Sequence, residues 1–173
     1  KMESAKSGAK SYLDKLKETD YGAVVKFNSS VTTVGSLAKL DAATKNAYKN
    51  RINSISAGGG TAIGSALRAG LNILKTSTRQ GTFKYIILLT DGQNGSGESP
   101  TGSILNDLKQ EGYPVYSIGL GSGADMGTLT TISNNTSGKA YAAASSAALN
   151  AIYSDIQSMT SDDKLVQWVK DNL

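Results

Sequence analysis

Two oxygen-bearing side chains stand where a sheet protein could use them: Thr61, closing the run Gly58-Gly59-Gly60-Thr61, and Asp91, near the end of Tyr85-Ile-Ile-Leu-Leu-Thr-Asp-Gly92. The chain contains no Cys and no His. Thiolate and imidazole metal sites, Ser-His-Asp triads and Cys-His nucleophiles are therefore excluded by inventory. Any metal here must be a hard cation held by oxygen, and Mg²⁺ would take about six oxygens in near-octahedral geometry, several of them from water. Each residue also has a plainer use, Thr61 as a helix N-cap and Asp91 as a turn residue in Asp-Gly, and both uses are compatible with a ligand role.

Other glycine runs carry less. Gly119-x-Gly-x-Gly123 lacks the full dinucleotide spacing and a following Lys-Ser/Thr, and Gly58-Gly59-Gly60 has no Lys behind it, so neither marks a nucleotide-hydrolysing enzyme. The triplets that begin at Asn28, Asn94, Asn134 and Asn135 have the form of glycosylation acceptors and are assigned no role. The net charge of +4 comes from 18 basic and 14 acidic side chains, interspersed as in Lys15, Lys17 and Glu18. That pattern is a solvated face, not a nucleic-acid stripe. No apolar run reaches the roughly 18 residues of a membrane span, so no membrane insertion is expected.

The elements that must position Thr61 and Asp91 follow from periodicity. Met2, Ala5, Ala9, Tyr12, Leu13 and Leu16 recur at helical spacing up to about Thr19-Asp20. Gly22 to Phe27 is a short apolar strand, Asn28-Ser29-Ser30 a turn, and Val31 to Val34 an antiparallel edge strand. A helix from about Asp41 to Ile55 precedes the glycine run, and Ile63, Ala66, Leu67, Gly70, Leu71 and Leu74 then line one face of another. Tyr85 to Leu89 is apolar at successive positions, the mark of a central parallel strand covered on both faces. Ser99-Pro100 is expected to cap and open a helix carrying Ile104, Leu105 and Leu108, ending at Gly112. A strand at Pro114 to Ile118, a helix through Met126, Leu129 and Ile132, a short strand at Lys139 to Ala142 and a helix from Ser145 through Ile156 complete the alternation. After a break at Thr160-Ser161, Leu165, Trp168, Val169 and Leu173 suggest a last short helix.

At 173 residues, with 39% hydrophobic and 18% charged side chains, this is one globular domain. Strands alternating with crossover helices specify an α/β fold: a doubly wound, mostly parallel sheet flanked by helices, with one antiparallel edge strand. Ligands of such sheets lie outside the carboxyl ends of the strands, where Thr61 and Asp91 fall.

Four blocks in order carry a family resemblance: Phe27 with Asn28-Ser29-Ser30, Ser54 to Gly64, Ile86 to Gly92, and Val115 to Gly121. Together they resemble the von Willebrand factor A-type, or integrin I-like, domain. The resemblance implies a domain over residues 1–159 with a helical extension at 160–173. It also implies a metal-ion-dependent adhesion site built from an Asp-x-Ser-x-Ser motif, a Thr and an Asp. Thr61 matches the second element and Asp91 the third, while the first has no match in this sequence, and Lys1-Met2-Glu3 resembles the helix that follows it. The expected cofactor is thus Mg²⁺, or Ca²⁺ or Mn²⁺ in its place, needing a motif not present in this chain.

The function so implied is a metal-dependent protein-binding or adhesion module, not an enzyme, whose cation takes an acidic side chain of a partner. The alternative is a structural or assembly subunit, in a surface filament or an intracellular complex, with a vestigial site. Absence of Cys suits an extracellular or cell-surface protein of a bacterium. The resemblance places the missing first strand between Ala23–Phe27 and Tyr85–Leu89. Residues 1–173 are therefore not expected to fold alone. A strand-donating segment, or a neighbouring subunit, is expected to complete the sheet.

Overall fold

The structure is a computed structural model, and it describes residues 1–160. The short helix expected around Leu165 to Leu173, and with it all but the first residue of the 160–173 extension, lies outside the described residues. Thr160 is the last residue of a long helix.

Elements alternate as the apolar periodicity requires: α1 (Met2–Lys15), β1 (Tyr21–Phe27), β2 (Val31–Lys39), α2 (Ala42–Asn53), α3 (Ile63–Lys75), β3 (Ile86–Thr90), α4 (Ser103–Glu111), β4 (Val115–Leu120), α5 (Met126–Asn135), β5 (Ala140–Ala143) and α6 (Ser146–Thr160). Strands β3, β4 and β5 form one parallel sheet in that order, and β1 pairs antiparallel with β2. β2 runs five residues past the expected end at Val34, to Lys39. Ladder irregularities between Gly22 and Val25 keep the two strands paired over that extra length. Gly35 lies on it because a Cβ there would stand 2.7 Å from the Tyr48 ring.

The helix over Ile104 to Leu108 does not open at Ser99-Pro100. Those residues close a turn of their own, with the Gly102 amide donating to the Ser99 carbonyl at 3.3 Å, and Gly102 is the N-cap of α4. Helix α1 likewise stops at Lys15, short of the expected end near Thr19-Asp20, while two other local signals hold. The Asp41 carboxylate accepts the Thr44 amide at 2.8 Å at the start of α2, and Gly112 ends α4 in the left-handed conformation.

Side chains of β4 alternate between two helical layers. Val115 joins a core with Leu88 and with Leu67, Leu108 and Leu129 from α3, α4 and α5. Tyr116, Ile118 and Leu120 face Tyr12 of α1 and Leu149, Tyr153 and Ile156 of α6. α5 packs so closely that β4 carries Ser117 and Gly119 on that side, and a Cβ at Gly119 would meet Met126 Sδ at 2.4 Å. A smaller core of Leu13, Leu40, Tyr48 and Ile52 holds α2 under the hairpin.

Between β1 and β3 no ladder forms. The two strands line opposite walls of a slot of about 880 Å³, roofed by Ala5, Ala9 and Leu13 of α1 and by Ala66, Leu67 and Gly70 of α3. At its amino end the Arg79 guanidinium lies 4.3 Å from the Tyr21 ring centre.

Candidate functional site

The carboxyl ends of β1 and β3 are joined across the mouth of the slot by the glycine run. Asn28 Oδ1 accepts the Ser30 amide at 2.9 Å, closing the turn after β1. Ser29 Oγ then accepts the Gly60 amide at 2.7 Å, and the Asn28 carbonyl accepts the Ala62 amide at 2.8 Å. Gly58 and Gly59 have φ of 146° and 81°, a backbone path that L side chains rarely adopt, so this crossing needs glycine.

From the other side, β3 ends in Thr90-Asp91-Gly92, where Thr90 Oγ1 accepts the Gly92 amide at 3.3 Å. The Gly95 amide donates to the Thr61 carbonyl at 2.8 Å. The two sequence-selected residues are thereby brought together: a Cβ on Gly92 would stand 3.1 Å from Thr61 Oγ1, so the hydroxyl lies against the turn that carries Asp91.

Thr61 is not the N-cap of α3. That position is Ala62, whose side chain has no oxygen, and the first-turn amides are taken by Asn94 from the β3 loop. The Asp91 carboxylate is half-exposed, and Lys1 Nζ stands 3.7 Å from its Oδ2. The same Lys1 side chain reaches the loop after β4, where a Cβ on Gly121 would stand 3.1 Å from its Cε.

A polar network that sequence reading missed backs this edge. Arg68 of α3 donates to both carboxylate oxygens of Glu98, at 3.1 and 2.7 Å, and also to Asp107. Those hydrogen bonds hold the Glu98 carboxyl below the usual carboxylate range and raise Arg68. The only signal for the network was an Arg in an apolar stripe and acids tens of residues away. Asn94 is marked in the sequence only by the glycosylation-acceptor form of its triplet.

In chemistry, the Thr61 hydroxyl and the Asp91 carboxylate suit a hard divalent cation as two of about six oxygens. They do not enclose one: among the described residues no group of three or more Asp or Glu gathers at any point.

The von Willebrand factor type A domain family matches residues 1–155, and the chain belongs to that family. The family is one of metal-dependent protein-interaction modules. Among similar proteins are inter-alpha-trypsin inhibitor heavy chain H2 of Mus musculus, 32% identical over 80% of this chain, and heavy chain H3 of Mesocricetus auratus, 31% identical over 74%. The chain spans 16% of the length of each of them. Among solved structures, a von Willebrand factor type A protein from Catenulispora acidiphila superposes with a TM-score of 0.81 at 25% identity, covering 90% of this chain and 37% of that one. Proximal thread matrix protein 1 of the mussel byssus, in a form whose metal-ion-dependent adhesion site holds zinc, superposes at 0.73 with 28% identity, covering 89% of this chain and 39% of that one. Among the described residues no helix is long and apolar enough to cross a membrane.

Proposed function

We propose that residues 1–159 form a divalent-cation-dependent binding domain in which Thr61 and Asp91 are two of the cation's ligands, and that the protein binds a carboxylate of a partner protein without doing chemistry. The observation that carries this is the packing of the Thr61 hydroxyl against the Asp91-Gly92 turn at the mouth of an open slot. A strand lying in that slot would run between two unpaired strand edges. If it ended in Asp-x-Ser-x-Ser, its carboxyl end would bring further oxygens to the same point. Mg²⁺, Ca²⁺ or Mn²⁺ bound there would act as a Lewis acid toward a hard anionic oxygen. Thr61 and Asp91 would hold the cation, beside a glycine run that crosses the mouth of the slot on a path open to glycine. We place the protein outside the cell or on its surface, in a bacterium; support for this is the absence of Cys.

A second reading, an assembly subunit with a vestigial site, draws on Lys1: its ammonium already sets a positive charge beside Asp91. The two readings part on cation dependence. In the full-length protein, Asp91→Ala is expected to abolish Mg²⁺ binding in calorimetry while the fold survives, because the residue sits on a surface loop. Unchanged Mg²⁺ affinity would reduce Asp91 to a turn residue, and partner binding that persists in chelator would favour the assembly reading.

A further inference from the structure

The first turn of α3 needs an acceptor that its own N-cap lacks. The leading amides of a helix have no partner within it, and Ala62 offers none. Asn94, three residues beyond Asp91, supplies it: its Oδ1 lies 2.8 Å from the Ile63 amide and 3.4 Å from the Gly64 amide. Because both partners are donors, the side-chain oxygen and not the amide nitrogen must face the helix.

Around this contact the β3 loop and α3 are closed at four further points. Gly95 donates to the Thr61 carbonyl at 2.8 Å, and the Glu98 amide to Ser65 Oγ at 3.0 Å. Arg68 grips Glu98 through both carboxylate oxygens. The backbones meet so closely at Gly64 that a Cβ there would stand 2.1 Å from the Glu98 carbonyl oxygen. Thr61 is thus two residues from one end of the Asn94 contact, and Asp91 three residues from the other.

We propose that Asn94 is a positioning residue for the cation site: its bond to the α3 amides fixes the Thr61 hydroxyl relative to the Asp91 turn. The inference rests on the cation-binding reading above. A plain helix cap would change the stability of the fold and leave the affinity of folded molecules alone. A positioning residue changes that affinity, as the outer groups that hold metal ligands do.

The test uses the full-length protein with Mn²⁺ alone as the probe, titrated by electron paramagnetic resonance at a temperature where circular dichroism shows every variant folded. Asn94→Ala is expected to weaken Mn²⁺ by about tenfold or more. Asn94→Asp, which keeps an acceptor oxygen in place, is expected to retain most of the affinity. Hydrogen exchange at the Ile63 and Gly64 amides should quicken in the Ala variant and stay slow in the Asp variant. Equal Mn²⁺ affinity in wild type and Asn94→Ala overturns the inference while leaving the cation site standing, as does equal weakening by Ala and Asp. A wild type that binds no Mn²⁺ overturns the cation-site reading and this inference with it. Should Asn94→Ala not fold, Asn94→Gln displaces the same oxygen by one methylene, and wild-type affinity in that variant overturns the inference equally.

Discussion

Strands β3 and β4 lie side by side in one sheet, and the more apolar of the two is the less buried. β4, with Ser117 and Gly119 in it, is buried at all six positions, whereas β3, Ile86-Ile-Leu-Leu-Thr90, is fully buried only at Leu88 and Thr90. The helices cover both strands on both faces, so the difference comes from their edges. β4 has a strand on each side, and β3 has β4 on one side and the slot on the other. Continuous apolar sequence is the composition of a strand enclosed on every side. β3 therefore carries a sequence suited to two neighbours while the described residues give it one. β1 repeats the pattern, half-buried at Gly22 to Val25 and paired only with β2.

The largest effect that would break this comparison is on folding itself. Expressed alone, residues 1–173 are expected to show no cooperative melt, and a synthetic strand peptide ending in Asp-x-Ser-x-Ser should restore one. Each backbone group buried along the slot without a partner costs about 1 to 3 kcal/mol, and a handful of them rivals a typical net stability of about 5 to 15 kcal/mol. A sharp, Mg²⁺-responsive thermal transition of the bare segment in calorimetry would show that the sheet is stable with its slot open.

Next in size is a pair of truncations. In the full-length protein Ile118→Ala, at a position with no exposure, should cost about 2 to 5 kcal/mol by urea unfolding. Ile87→Ala on β3 samples the slot. Wherever a strand occupies it, the cost should approach that at Ile118, and with the slot open it should be clearly smaller. Equal costs in an open-slot form would mean that β3 is enclosed without a further strand.

The smallest expected effect concerns the Arg68–Glu98 pair. Arg68 holds the Glu98 carboxyl below its ordinary value. A carboxylate depressed by folding contributes stability above its unfolded value, about 4.3, and that contribution fades as pH falls through the lower folded value. Glu98→Gln should therefore lower stability slightly at neutral pH and show a shallower decline below about pH 4. The partly exposed pair makes a small effect. Parallel acid-unfolding curves for wild type and variant would show that the pair contributes nothing.

Much of the fold was legible because it depends on periodicity. The apolar stripe from Ile63 to Leu74 is α3, and the run after Tyr85 is the parallel strand β3, although among the described residues it stands at the edge of its sheet and not at the centre. Boundaries were less legible where a turn competes with a helix start: Ser99-Pro100 has the residues of a cap, yet the Ser99–Gly102 turn delays α4 to Ser103. Thr61 and Asp91 could be picked out because glycine runs and strand ends are visible in one dimension. The cap on α3 could not, since Asn94 lies 31 residues from Ile63.

By itself, then, the sequence determined the layered α/β architecture, the absence of any thiolate or imidazole chemistry, and the place of Thr61 and Asp91 at the carboxyl edge. Those are properties of composition and of spacing along the chain. Tertiary structure alone decided that the Thr61 hydroxyl meets the Asp91-Gly92 turn, that Asn94 and not Thr61 serves the first turn of α3, and that among the described residues the sheet stands in two parts about a slot. Each of these depends on which backbone donors remain unpaired after the strands have formed, and that is set by neighbours in space.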